Sequence, residues 1–91
     1  MLKIKLPNKV EKTLKRIPAR QQKQIFTKIE ALCLDPEPRG SRIIRGGLAP
    51  YRRIKVGNYR VIYFVEDDTL HIVVIDKRND ERVYRQINRL S

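Results

Sequence analysis

Tyr51-Arg52-Arg53-Ile54-Lys55-Val56-Gly57-Asn58-Tyr59-Arg60-Val61-Ile62-Tyr63 is the stretch from which the fold is read. β-branched and aromatic residues dominate both halves, and Gly57-Asn58 separates them with residues that accept positive φ at little cost, which predicts a tight hairpin. Neighbours alternate between the faces of a strand, so Arg53 and Lys55 share one face and Ile54 and Val56 the other. Closing the hairpin at Gly57-Asn58 sets Val56 beside Tyr59 and Lys55 opposite Arg60. The Lys55 and Arg60 side chains then emerge on one surface. Like charges directly opposed in a sheet are destabilising, and such a local conflict is what a polyanion-binding site looks like.

Working outward, Leu70 to Lys77 forms another strand-like run, separated from Tyr59–Glu66 by Asp67-Asp68, so that an antiparallel meander follows. Asp35 to Pro50 is rich in Pro and Gly, interrupted only by Ile43-Ile44, and reads as a loop joining elements. Before it, Ile25, Phe26, Ile29, Leu32 and Cys33 carry a helical stripe, and Val10, Leu14 and Ile17 carry a shorter one ended by Pro18, which also opens the next helix. Leu2, Ile4 and Leu6 alternate with lysines, as in a short strand ended by Pro7. At the other end, Val83, Ile87 and Leu90 have helical spacing, with Asp80 and Glu81 near the start of the segment. The expectation is an α+β fold: an N-terminal strand and an αα-hairpin packed on an antiparallel sheet of about four strands, with a short C-terminal helix. Residues 1–91 are expected to form one domain, because neither side of the loop has enough apolar residues to fold alone.

With 21 Lys and Arg against 10 Asp and Glu, the formal charge is +11, which attracts polyanions and makes nucleic acid the first partner to consider. The lysines around the second helix fit a solvated face. Cys33 is the single cysteine, so no internal disulfide can form, and its apolar neighbours predict a buried thiol. No apolar run resembles a signal peptide or reaches membrane-spanning length, so a cytoplasmic protein with no membrane partner is expected. No Cys/His cluster or Gly-rich phosphate loop suggests a metal or small-molecule cofactor.

The Tyr51–Tyr63 stretch resembles the strand pair of the RelE/ParE toxin superfamily, usually written Y-R-I-R-V-G-x-Y-R-V-I-Y. The segment Lys77-Arg78-Asn79-Asp80-Glu81-Arg82-Val83-Tyr84 is similar to that family's ending, an Arg followed six residues later by Tyr. Element order and length fit across nearly the whole chain, although the N-terminal helices match by pattern alone. The resemblance is to the RelE branch. It implies a type II toxin, paired with an antitoxin, that cleaves mRNA on the ribosome as a metal-independent endoribonuclease, the substrate 2′-hydroxyl attacking the adjacent phosphate.

Carried over by motif, Lys55 would be the base, since arginine is a poor proton acceptor. Arg53 and Arg60 would hold phosphoryl oxygens with their planar forks. Arg78 would stabilise the leaving oxygen, and Tyr84 would stack on or orient a base. The chain has Arg53 where the family often has Lys, and it lacks the His or Glu that serves as base in related toxins, which places more weight on Lys55. Ordinary structural roles compete with these assignments: ion pairing of Arg60 or Arg78 with Asp76, Asp80 or Glu81, and Tyr84 as a half-buried aromatic. Tyr59 and Tyr63 fit core or cross-strand positions, and His71, with no second histidine, fits a satisfied or exposed one. Two other functions share the same features. A ParE-like inhibitor of DNA gyrase would keep the strand pattern without the nuclease residues, and a non-catalytic RNA- or ribosome-binding module would use the charge for phosphate contacts to rRNA or mRNA alone.

Overall fold

Pro7 and Pro18 set where the two helices begin. α1 (Asn8–Lys15) and α2 (Ala19–Leu34) each follow a proline whose φ of −57° or −53° and ψ of 151° or 144° hold an extended turn into the helix. The proline carbonyls accept the first helical hydrogen bonds, from the backbone N–H of Glu11 and of Gln22, both at 2.9 Å. The computed structural model describes residues 1–44 and 50–77. The short C-terminal helix expected from Val83, Ile87 and Leu90 lies outside the described residues. Neither described helix is long and apolar enough to cross a membrane.

Val10 and Leu14 of α1, with Ile17 just beyond it, and Ile25, Ile29, Leu32 and Cys33 of α2 are buried together. Phe26 is an exception to the predicted stripe. It is 40 % exposed, because one residue beyond Ile25 lies about 100° further round the helix. Burial pushes the Cys33 thiol up from its ordinary value, with the Glu30 carboxylate adding to the effect.

The strands are β1 (Lys3–Lys5), β2 (Arg42–Ile43), β3 (Arg52–Val56), β4 (Tyr59–Glu66) and β5 (Thr69–Asp76), arranged in one sheet in the order β1-β5-β4-β3-β2. The α+β class and the antiparallel meander β3-β4-β5 are as expected. Two details differ from the antiparallel sheet of about four strands. β1 runs parallel to β5, pairing Lys3 with Thr69 and Lys5 with His71. Inside the loop, Arg42 and Ile43 pair antiparallel with Arg53 and Arg52 to make a fifth strand. Residue alternation assigns faces but says nothing of a strand's direction, and a two-residue ladder between Pro- and Gly-rich stretches is too short to leave a pattern.

A third departure occurs inside β5. The β4–β5 register passes from Ile62↔Val74 to Tyr63↔Ile72, a bulge that skips Val73. Leu70 and Ile72 face the helices, but beyond the bulge Ile75 takes that side, and Val74 joins Ile62 on the other. Strict alternation from Leu70 would have turned Asp76 toward the helical core. The bulge turns it outward instead.

The helix-covered face buries Ile54, Val56, Val61, Tyr63, Leu70, Ile72 and Ile75 against α1 and α2. Ile44, Tyr51, Ile62 and Val74 form a smaller cluster on the other face. Tyr63 is completely buried, and its hydroxyl donates to the Pro36 carbonyl at 2.7 Å. Beside it, Arg52 donates to Ser41 Oγ through Nε at 3.3 Å and Nη2 at 3.0 Å, and Ser41 Oγ donates to the Pro38 carbonyl at 2.9 Å. The chain leaving α2 is thereby fastened to the middle of the sheet.

Burial pushes the Tyr63 hydroxyl above its ordinary value, opposed in part by Ser41 and Arg52. A raised folded-state value favours the neutral phenol, so this contribution is complete below the unfolded value of about 10 and is lost as pH rises through the folded one. Tyr63→Phe should leave the Pro36 carbonyl without this donor and cost about 1 kcal/mol at neutral pH, seen as a melting midpoint about 4–8 °C lower. Above about pH 10 the gap should narrow, because only the wild type carries the titrating phenol. Thermal melts across pH check both parts.

Candidate nucleic-acid interface

The β3–β4 hairpin turns at Gly57, whose φ of +61° is the only positive value in that turn; Asn58 does not share it. This is the φ pattern of a type II′ turn, with glycine at its first central position. At the β4–β5 turn, Asp67 and Asp68 both have positive φ, 53° and 60°, as a type I′ turn requires. Each turn closes its hairpin without extra residues and so fixes the pairing of the strand residues next to it, in β4–β5 as far as the bulge at Val73.

In the resulting register Val56 pairs with Tyr59, Lys55 with Arg60, Ile54 with Val61 and Arg53 with Ile62. Lys55 and Arg60 are therefore opposed as the sequence predicts. Ile54, Val56 and Val61 are buried under the helices, whereas Lys55 is exposed and Arg53 and Arg60 are partly exposed. Three cations of the predicted set thus occupy one sheet surface, a display that can meet successive phosphates or surround one. Arg78 and Tyr84 lie outside the described residues.

Arg52 and Arg53, adjacent in sequence, have opposite fates. Arg52 faces the helical side, where its side chain is 19 % exposed and its Nη1 lies 3.5 Å from the Glu37 carboxylate. It serves the loop fastening described above. Strand alternation alone distinguishes the two, because Arg52 shares its side with Ile54.

Four further residues share the cationic surface or its neighbourhood. Arg60 pairs across β4–β5 with Asp76, which the bulge has turned to this side, so a lysine, an arginine and an aspartate form one row over three strands. Further along, the rings of Phe64 and His71 stack in parallel at 4.4 Å, and Tyr51 meets Phe64 edge-on at 5.6 Å. Periodicity alone did not place Asp76 in the row; the bulge decides it. Among the described residues, no group of three or more His, Cys, Asp or Glu side chains comes together to hold a metal ion.

Comparison with known proteins places this architecture. By fold the chain is similar to an Escherichia coli RelE toxin carrying two arginine-to-alanine substitutions, in the free state, with a TM-score of 0.79 at 17 % identity over 98 % of this chain and 96 % of that one. It is also similar to the isolated E. coli RelE toxin in a P21 crystal form, with a TM-score of 0.74 at 17 % identity over the full length of both. No curated protein sequence matches the chain. A family profile, the ParE toxin of the type II toxin-antitoxin system parDE, matches residues 4–82, and the chain belongs to that family, within the RelE/ParE superfamily. It is accordingly a toxin of a type II system, a class defined by pairing with a cognate antitoxin.

Gly57 is the residue on which the cation register turns. A Cβ there would find its nearest neighbour, Gln24 Oε1, 3.9 Å away, so the penalty for a side chain is conformational rather than steric crowding by neighbours. Gly57→Ala should cost about 1–3 kcal/mol, measured as a lower midpoint in urea unfolding with an unchanged slope.

Proposed function

We propose that this toxin is an endoribonuclease that cuts mRNA on the ribosome, using the substrate's own 2′-hydroxyl as nucleophile. The observation that carries the reading is the register that sets Lys55 directly opposite Arg60, with Arg53 on the same side of the sheet. An unfavourable like-charge pair held in place by two rigid strands suits a ligand that brings negative charge.

The chemistry needs three things: a proton acceptor for the 2′-hydroxyl, cations for the charge that gathers on the phosphoryl oxygens, and stabilisation of the departing 5′-oxygen. In this reading Lys55, as the free amine, takes the 2′-hydroxyl proton while O2′ bonds to phosphorus. Arg53 and Arg60 hold the non-bridging oxygens. The P–O5′ bond breaks, Arg78 stabilises the oxygen that leaves, which takes up a proton from solvent water to become a hydroxyl, and Tyr84 stacks on a neighbouring base. The products are a 2′,3′-cyclic phosphate and a 5′-hydroxyl end. Residues 1–91 act as one domain in the cytoplasm, where ribosomes carry the mRNA, and the cognate antitoxin holds the activity in check.

A second reading, poisoning of DNA gyrase, is favoured by the ParE profile itself. Cells distinguish the two. Induced expression should halt translation and produce mRNA cut at in-frame positions, and Lys55→Ala should lower cleavage by about 10²- to 10⁴-fold, the usual worth of a positioned proton acceptor. Primer extension on a reporter transcript reads this. Intact transcripts accompanied by DNA breaks would transfer the assignment to gyrase.

A further inference from the structure

We propose that Asp76 is a positioning residue of this site, acting through Arg60; the inference rests on the nuclease reading and deepens it. Three observations lead there. The bulge at Val73 reverses the facing of the last part of β5, so that Val74 lies beside Ile62, away from the helices. Asp76, two residues on, is brought to the same side, and its Cα partner across the ladder is Arg60. Arg60 in turn has Lys55 as its partner on the opposite flank. One row therefore reads Lys55, Arg60, Asp76, its ends about 10 Å apart at ordinary strand spacing.

A carboxylate on a surface meant for phosphate works against binding, since it repels the ligand. Its position shows what it offers in return. Directly opposed side chains on neighbouring strands have Cβ atoms about 4.5–5.5 Å apart, within reach for an aspartate and an arginine. The guanidinium is planar and carries five N–H donors along different edges, so one edge can engage a carboxylate while another meets a phosphoryl oxygen. Asp76 holds the plane of Arg60 and draws its charge away from Lys55. The arginine is thereby oriented before RNA arrives, and some affinity for RNA is given up for that orientation. The bulge that makes this possible is an irregularity in an otherwise regular hairpin, as bulges beside functional sites commonly are.

Two readouts of opposite sign separate this role from a merely structural one. Asp76→Asn removes the charge and keeps the shape. It should bind a short single-stranded RNA more tightly than the wild type, and the slope of log affinity against log salt should steepen by about 0.7, one further phosphate neutralised. At saturating programmed ribosomes it should nevertheless cleave mRNA about 10- to 100-fold more slowly, and Asp76→Glu should recover part of that loss. In an Arg60→Gln background, Asp76→Asn should change RNA affinity markedly less than in the wild type, because the part of its effect exerted through Arg60 is gone and only the direct repulsion remains. Thermal melts of each variant identify any loss that is only unfolding, and Asp76→Ser supplies a second neutral side chain if the asparagine variant does not fold. Weaker RNA binding by folded Asp76→Asn, cleavage at the wild-type rate, or an unchanged effect without Arg60 would each overturn the proposal. If the wild type cleaves nothing, the nuclease reading fails by itself, and the RNA-affinity cycle with Arg60 then decides the placement of Asp76: coupling sustains it and additivity overturns it.

Discussion

Lys55 and Arg60 stand opposite each other across a two-residue turn, and much of the molecule serves to hold two like charges in that position. In water, two unit charges about 4–5 Å apart repel by about 1 kcal/mol. Directly beneath them Ile54, Val56 and Val61 are buried against the helices, and each such side chain contributes about 1.5–3 kcal/mol when fully removed from water. The burial outweighs the repulsion several-fold. A hairpin with cations on one side is stable here because its other side is roofed by α1 and α2, and Gly57 supplies the backbone conformation that joins the two strands in this register and no other.

That division of labour extends to the loop after α2. Arg52, Ser41 and Tyr63 fasten residues 36–41 to the centre of the sheet from the helical side, leaving Arg53 and Lys55 to face outward. Among the described residues no buried side-chain nitrogen or oxygen lacks a hydrogen-bond partner, so the polar groups on the covered side belong to the scaffold. Arg53, Lys55, Arg60 and Asp76 lie on the open side. The ParE profile and the RelE-like fold meet in the same architecture, and a shared fold does not select a reaction. The choice between nuclease and gyrase poison therefore rests on the side chains of that open surface.

What could be read from the sequence followed the range of the interaction concerned. Arg53, Lys55 and Arg60 were legible because hairpin register is local: a two-residue turn and period-two alternation determine it. The helical stripes were legible for the same reason, Phe26 apart, which sits at the edge of its stripe and stays 40 % exposed. The parallel direction of β1, the short β2 and the bulge at Val73 were not, since each depends on which strand lies alongside, and a run such as Leu70-His71-Ile72-Val73-Val74-Ile75 is apolar enough to suit either face. Asp76 joined the cationic row only through that bulge. Arg78 and Tyr84 are named by family resemblance alone and lie outside the described residues, so the proposed phosphate-binding role has a geometry behind it and the proposed leaving-group role has a motif.

In the proposed reaction the 2′-hydroxyl of the RNA is the nucleophile, and the charges on this sheet surface serve its attack. The chemical nature of the new ends tests it most directly. Purified toxin added to ribosomes programmed with a defined mRNA should leave a 2′,3′-cyclic phosphate on the upstream fragment and a 5′-hydroxyl on the downstream one, and a single 2′-deoxy substitution at the cut site should abolish cleavage. A 5′-phosphate on the downstream fragment, or undiminished cutting at the 2′-deoxy position, would contradict it.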